Sequence, residues 1–284
     1  MLLNKIQIIC DKVKSQGNRR LHKVEDGFKL KISIVGGGGR VGLPLGIVLA
    51  KAGNPVTIID LDQSRVSSIN NRIMPFFEKD ASELLLSLNQ NQLIATSQSS
   101  AIEDSEICIL IIGTPVLDDG TPSANQLVGL VSSLIPHLTN VKLLMLRSTV
   151  YPGITNQIKT LLNDAGLKIA ISFCPERIAE GNAIKELKEL PQIIGADDQA
   201  AVNISSEMFS SIGSSLIFTS IEEAELTKLF ANAFRYLQFA IANEFFEICQ
   251  TKNLDWEKQS WAYRILHVAK QPSTPPDQRG TWSS

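Results

Sequence analysis

An α/β fold, with a mostly parallel sheet carrying helices on both faces and one long helix after it, is what this sequence predicts. Three observations predict it. Short apolar runs of strand length alternate with helix-length periodic runs through residues 30–219. Some of those apolar runs, residues 107–112 above all, show no polar alternation, as strands of a parallel sheet buried on both faces do not. From Ser220 the alternation stops and a single helical pattern continues to about residue 250.

The first unit, residues 31–60, reads as strand, glycine turn, helix, strand. Gly37, Gly39 and Gly42 fit G-x-G-x-x-G, and Asp60 closes the second strand. In that pattern the first glycine permits a tight turn, the second lets backbone approach a pyrophosphate, and the third lets helix and strand pack closely. The free N–H groups of the helix start face the phosphates, and the acid can hold a ribose hydroxyl. With its flanking strand, helix and acid, the turn makes the sheet Rossmann-like and predicts a dinucleotide site. The plainer alternative is a glycine-rich turn in an ordinary α/β protein.

The helix after the turn covers residues 40–52, with Pro44 in its tolerant first turn and Gly53 as its stop. A second helix covers 64–70 and places Arg65 where it can cover the adenosine side of a dinucleotide or simply face water. Met74-Pro-Phe-Phe-Glu78 breaks the periodicity. A helix over 81–89 and a strand over 93–96 follow. The strand at 107–112 ends in Gly113-Thr114-Pro115, at the sheet edge where open α/β folds bind ligands. Residues 118–120 read as a turn and 126–138 as a helix. A strand over 141–146 ends in Arg147-Ser-Thr-Val-Tyr-Pro-Gly153, and a helix over 155–165 stops at Gly166. Strand 168–173 leads into Cys174-Pro-Glu-Arg-Ile-Ala-Glu-Gly181. Helix 183–190, strand 192–195, helix 200–212 and strand 215–218 complete the α/β region.

Ser220 and Glu223 form a capping box that opens the long helix. Its apolar residues spread over more than one side, so it is expected to be buried within an assembly. Lys228, Asn232 and Arg235 share one face, which Glu225 and Asn243 extend. A solvated stripe is the competing reading. After Glu257 the pattern is lost in a Pro/Ser-rich tail expected to be disordered. Four regions follow: an extension over 1–29, a dinucleotide-binding domain over 30–219, a central helix over 220–256, and a tail over 257–284.

Composition narrows the class further. The net charge of −2 gives no electrostatic preference for nucleic acid or membrane. No apolar run is long enough to span a bilayer, and the N-terminus does not read as a signal peptide. Cys10, Cys108, Cys174 and Cys249 lie far apart with no metal-like pairing, so no metal is expected and a reducing cytoplasm is the simplest compartment.

Taken together, Gly37-Gly-Gly-Arg-Val-Gly-Leu-Pro44, Met74-Pro-Phe-Phe-Glu78, Gly113-Thr-Pro115, Ser148-Thr-Val-Tyr-Pro-Gly153, Pro175-Glu-Arg-Ile-Ala-Glu-Gly181 and residues 223–235 with Ala242-Asn-Glu244 occur in one order. That ordered set resembles the nucleotide-sugar 6-dehydrogenase family, which includes UDP-glucose and UDP-N-acetylhexosamine dehydrogenases. Residues 146–149, 175–178 and 190–194 look more like the UDP-N-acetylhexosamine branch. The resemblance implies that Gly37, Gly39, Arg40, Val41, Gly42, Asp60, Arg65, Thr114, Thr149 and Glu180 line NAD. It implies that Glu176, Arg177, Ile178, Lys228, Asn232 and Arg235 meet the UDP-sugar, and that Thr149, Glu176, Glu180, Lys228 and Asn232 serve catalysis. It also implies a homodimer built on the long helix, with a role in polysaccharide precursor synthesis.

The implied reaction oxidises a C6 alcohol to a carboxylate in two hydride transfers. Thr149 and Glu180 would position a water for the first. Lys228 and Asn232 would stabilise charge on the reacting oxygen. The second transfer needs a cysteine thiolate, and Glu176 would assist hydrolysis of the resulting thioester. The family's Gly-x-Cys-x-x-Lys-Asp block, however, does not occur in this sequence. The resemblance stops near Trp256-Glu257, which leads us to expect a truncated or frame-shifted chain that is inactive or partial. Two other readings remain at this level. One is a 6-phosphogluconate or hydroxyacyl-CoA type of dehydrogenase; the other is a non-catalytic NAD-binding dimerisation module.

Overall fold

The computed structural model describes residues 29–113, 124–258 and 260. Thr114, the turn expected at 118–120, the extension through residue 28 and the tail from residue 261 lie outside the described residues. The described chain divides into two compact units, one through Lys228 and one from Leu229 onward.

In the first unit, eight strands form one sheet in the order β3-β2-β1-β4-β5-β6-β7-β8. They are β1 (Ile32–Val35), β2 (Val56–Ile59), β3 (Leu93–Thr96), β4 (Ile107–Leu110), β5 (Leu143–Leu146), β6 (Ala170–Phe173), β7 (Gln192–Gly195) and β8 (Leu216–Thr219). The first six are parallel, so their carboxyl ends share one edge, and the strand order reverses between β1 and β4. β7 runs antiparallel to β6 through a single pair, Phe173 with Gly195, and β8 runs parallel to β7.

Among the described residues, eight α-helices accompany the strands: α1 (Gly42–Lys51), α2 (Gln63–Asn70), α3 (Ala81–Leu86), α4 (Ala124–Leu134), α5 (Ile154–Asp164), α6 (Ala183–Glu189), α7 (Gln199–Ser211) and α8 (Ile221–Thr251). The strand period of two sorts side chains between two cores. Ile107, Ile109, Leu143 and Met145 join α1 and α7 in one. Cys108, Leu110, Leu144 and Leu146 join α4 and α5 in the other. Unbroken apolar strands therefore do mark a sheet covered on both faces.

Helix ends follow local chemistry. Asp62 caps α2 by accepting from Ser64 N at 2.9 Å and Arg65 N at 3.3 Å. Gly53, at φ 99°, closes α1. The Ser220–Glu223 box is reciprocal: Glu223 N donates to Ser220 Oγ at 3.2 Å and Ser220 N donates to Glu223 Oε2 at 3.0 Å.

Several elements, α1, β5 and β6 among them, are shorter than the sequence pattern suggests, and in three the local chemistry shows why. The helix expected to reach residue 138 ends at Leu134, because Pro136 lacks an N–H and disfavours helical backbone before it; a short 3-10 turn follows. The helix expected to reach residue 89 ends at Leu86, where the Ser87 hydroxyl donates to Leu84 O and the Arg72 guanidinium takes Leu88 O. β4 stops at Leu110, and Ile112 N donates to Ser148 Oγ at 2.9 Å instead of to a neighbouring strand.

In the second unit, Cys249 is buried and Phe246 meets Trp256 edge-on at 5.9 Å between ring centroids. Phe230, Phe234, Tyr236, Leu237 and Ile241 are exposed. No described helix is long and apolar enough to cross a membrane.

Candidate functional site

The glycine turn sits at the carboxyl end of β1, against β2. Gly36 N and Gly37 N both donate to Ile59 O, at 2.8 and 3.2 Å. Each glycine of the run meets a different constraint. Gly36 has φ +73°, and a Cβ there would lie 2.1 Å from Ile111 O, so the sharp turn belongs to Gly36 and not, as the pattern suggested, to Gly37. A Cβ on Gly42 would lie 2.5 Å from Gly37 Cα, so the third glycine lets the helix start approach the turn backbone, where the pattern suggested a helix–strand approach. Gly38 was an unassigned position in the pattern. Its N–H donates to Asp60 Oδ2 at 2.8 Å, and a Cβ would press on that carboxylate at 2.6 Å.

Gly39 differs. The nearest atom to a Cβ there is Arg65 Nη1, at 3.9 Å, so the protein itself leaves this face open. The open face adjoins the start of α1, whose first N–H groups have no acceptor within the helix. An anion is the natural occupant of such a place. Asp60 stands just past β2, with Oδ1 accepting from Asp62 N at 3.0 Å. Arg65 Nε lies 3.2 Å from Asp62 Oδ2. Gly37, Gly39, Arg40, Val41, Gly42, Asp60 and Arg65 thus lie together at the carboxyl ends of β1 and β2. An open backbone cradle, a helix N-terminus, an anchored acid and an arginine suit the pyrophosphate and ribose of a dinucleotide.

A second group gathers at the ends of β5 and β6. Thr149 is half-buried beyond β5. Glu176 is buried beyond β6, and its carboxylate is fully engaged. One oxygen accepts from Arg147 Nη2; the other accepts from Arg177 N at 2.6 Å and Ile178 N at 2.8 Å. Lys228 donates its ammonium to the Glu176 backbone carbonyl. Arg177 is exposed and reaches Pro191 O at 3.3 Å, while Ile178 packs on the core.

Glu180, on the same loop, pairs with Arg40 Nε at 3.6 Å and so links this loop to the glycine turn. The Arg40 guanidinium also lies 5.4 Å from the Phe76 ring centroid. Asn232 and Arg235 belong to the second unit, where Arg235 Nη2 donates to Asn232 Oδ1 at 3.3 Å.

Three residues that the sequence reading did not select hold this geometry. Arg147 is buried under Glu176. Glu78 accepts from Gly181 N at 2.9 Å and Ala183 N at 2.8 Å, tying the 73–78 segment to the far end of the Glu176 loop. Glu225 accepts from Gly153 N and Thr155 N, at 2.7 and 3.0 Å. For Glu78 the available signal was a carboxylate closing the apolar Met74-Pro-Phe-Phe run; Glu225, among Glu222, Glu223 and Lys228, carried no such signal. Cys174 is buried, and burial pushes its thiol up to about 11, which makes it a poor nucleophile.

Burial alone would raise the pKa of Glu176. The Arg147 charge, its hydrogen bond and the two backbone N–H groups outweigh that and hold the carboxyl below the usual carboxylate range. Since the folded value is depressed, its contribution to stability is complete above the ordinary value of about 4.3 and is lost as pH falls through the lower folded value. Urea midpoints measured from about pH 6 down to about pH 3 should fall for the wild type and fall less steeply for Glu176→Gln. Parallel slopes would contradict this.

A parallel sheet with a glycine cradle at its switch point defines a dinucleotide-binding α/β domain. Residues 30–213 match the family described as the UDP-glucose/GDP-mannose dehydrogenase family, NAD binding domain. The chain belongs to that family, and NAD is the cofactor of the matched domain. It is 31% identical over 243 residues to a UDP-N-acetyl-D-mannosamine dehydrogenase of Methanocaldococcus jannaschii, covering 83% of this chain and 56% of that protein. It is 29% identical to UDP-glucose 6-dehydrogenase TuaD of Bacillus subtilis, covering 80% of this chain and 50% of the relative. A solved UDP-D-ManNAc dehydrogenase from Pyrococcus horikoshii superposes with a TM-score of 0.76 at 25% identity, over 87% of this chain and 60% of that one. The chain spans about half the length of the curated relatives it matches.

Proposed function

We propose that this chain is the cofactor-binding portion of an NAD-dependent nucleotide-sugar 6-dehydrogenase, acting on the C6 hydroxyl of a UDP-N-acetylhexosamine or UDP-glucose. The observation that carries the reading is the Arg40–Glu180 link between the open Gly39 cradle and the loop whose Glu176 carbonyl holds Lys228. It supports a reading in which a cofactor seat and an ammonium held in place lie on the two sides of one loop.

Bound NAD supplies the hydride acceptor. Around it, Gly37, Gly39, Val41 and Gly42 seat the pyrophosphate with Arg40 beside it, Asp60 takes the ribose, Arg65 covers the adenosine side, and Thr114 and Thr149 complete the seat. Thr149 and Glu180 orient a water that takes the hydroxyl proton. Lys228 and Asn232 hold negative charge on the sugar oxygen. Arg177, Ile178 and Arg235 meet the UDP-sugar. The reading extends to a cytoplasmic enzyme of polysaccharide precursor synthesis. It also includes a homodimer, which the exposed Phe230, Phe234, Tyr236 and Leu237 of α8 support.

This sequence has no Gly-x-Cys-x-x-Lys-Asp block to supply a thiol for the second oxidation. The purified chain is therefore expected to bind NAD saturably in a calorimetric titration and to make no uronate from UDP-sugars. Absence of NAD binding by folded protein would overturn the cofactor assignment. Sustained uronate formation would overturn the assignment as a partial enzyme.

A further inference from the structure

We infer that Arg147 is a positioning residue for Lys228, acting through Glu176. The inference rests on the proposed role of Lys228 as the donor to the reacting oxygen. Arg147 fixes the residue whose carbonyl holds the lysine.

The Arg147 side chain has no exposed surface and is held from three elements. Nη2 donates to the Glu176 carboxylate beyond β6. Nη1 and Nη2 lie 3.5 and 3.4 Å from Gln192 Oε1 on β7. The guanidinium lies 5.3 Å from the Phe209 ring centroid on α7. Nε is buried without a hydrogen-bond partner among the described residues, so the fork is spent almost wholly on Glu176 and Gln192.

With one carboxylate oxygen fixed by Arg147, the other draws in the N–H groups of Arg177 and Ile178. The loop wraps around its own buried side chain, which sets the direction of the Glu176 backbone carbonyl. That carbonyl accepts from the Lys228 ammonium. The lysine is steadied from its own helix as well: Glu225, three residues earlier, grips Gly153 and Thr155. An ammonium fixed in advance needs no reorganisation when charge develops on a bound oxygen. The planar fork matters because a lysine at 147 would keep the charge but could not bridge Glu176 and Gln192 together.

Trace acylation of amines on the full chain, read residue by residue by mass spectrometry, tests this without any substrate. Lys185 and Lys258, largely exposed, serve as internal references. In Arg147→Met, Lys228 acylation relative to the references should rise about fivefold, as expected for loss of one hydrogen bond of ordinary strength. Glu176→Gln should raise it by a smaller factor, and Arg147→Lys should return it part of the way to wild type.

A purely structural arginine would lower the urea midpoint in Arg147→Met and leave relative Lys228 labelling unchanged; that result overturns the inference. If Arg147→Met does not fold, Glu176→Gln decides alone, with unchanged labelling again the overturning result. NAD titration of the same samples keeps the two readings apart. Failure of the wild type to bind NAD sinks the cofactor assignment, whereas the labelling ratios test the Arg147–Glu176–Lys228 relation.

Discussion

Glu225→Ala is expected to cost the fold about 3–5 kcal/mol, because it strands three donors at about 1–3 kcal/mol each for those that are buried. Glu225 is completely buried on α8, yet it serves α5. Gly153, the residue before α5, has no side chain with which to cap it. The Glu225 carboxylate takes that place from across the fold, accepting from Gly153 N, Thr155 N and the Thr155 hydroxyl. A negative group at a helix N-terminus meets both the unpaired donors and the positive end of the dipole. Alanine would strand those donors, the two on Thr155 fully buried and the one on Gly153 partly so. Glu225→Gln keeps one acceptor but turns an NH2 toward an N–H, so it should fall between alanine and wild type. Urea denaturation with an unchanged m-value would register the loss. An alanine variant within about 0.5 kcal/mol of wild type would show that water replaces the carboxylate.

Gly36→Ala and Gly39→Ala should separate the fold from the cofactor. At Gly36 the backbone is left-handed, and the added Cβ would meet Ile111 O at 2.1 Å. Neither the conformation nor a backbone oxygen can yield cheaply, so about 2–4 kcal/mol of stability and the NAD affinity should go together. At Gly39 the methyl would find no protein atom closer than 3.9 Å. Stability should stay within about 0.5 kcal/mol of wild type. Affinity for NAD should nonetheless fall at least about tenfold, because the methyl occupies the approach of the phosphates. Thermal melts beside NAD titrations read both quantities. A Gly39→Ala chain that binds NAD like wild type would move the phosphate site elsewhere.

The division between what the sequence disclosed and what it hid follows range. The glycine cradle, Asp60, the capping box and the apolar strands are each encoded within a few neighbouring residues, and each was legible. Pro136 was also legible in principle, but the apolar periodicity on either side of it masked the break. Contacts that join distant segments were not legible. Glu78 meets Gly181 and Ala183 only because the sheet brings two loops to one edge. Arg147 meets Glu176 because β5 and β6 are neighbours, a pairing that no local pattern encodes. Glu225 could be read as part of a polar stripe with Lys228, while its partners on α5 could not.

The junction of β6 and β7 has a dynamic consequence. Every other adjacent pair of strands shares a four-residue ladder, whereas these two share only Phe173 with Gly195. The last two strands are attached chiefly by side chains: Ile194 packs into one core and Ile193 into the other. Local opening can therefore follow that seam, releasing β7 and β8 as a pair while β1–β6 stay zipped. Their amides should exchange with solvent deuterium sooner than those of β1, β4 and β5. Gln192 lies on the early-opening side of the seam and Arg147 on the other, so each such opening would also slacken the grip on the guanidinium.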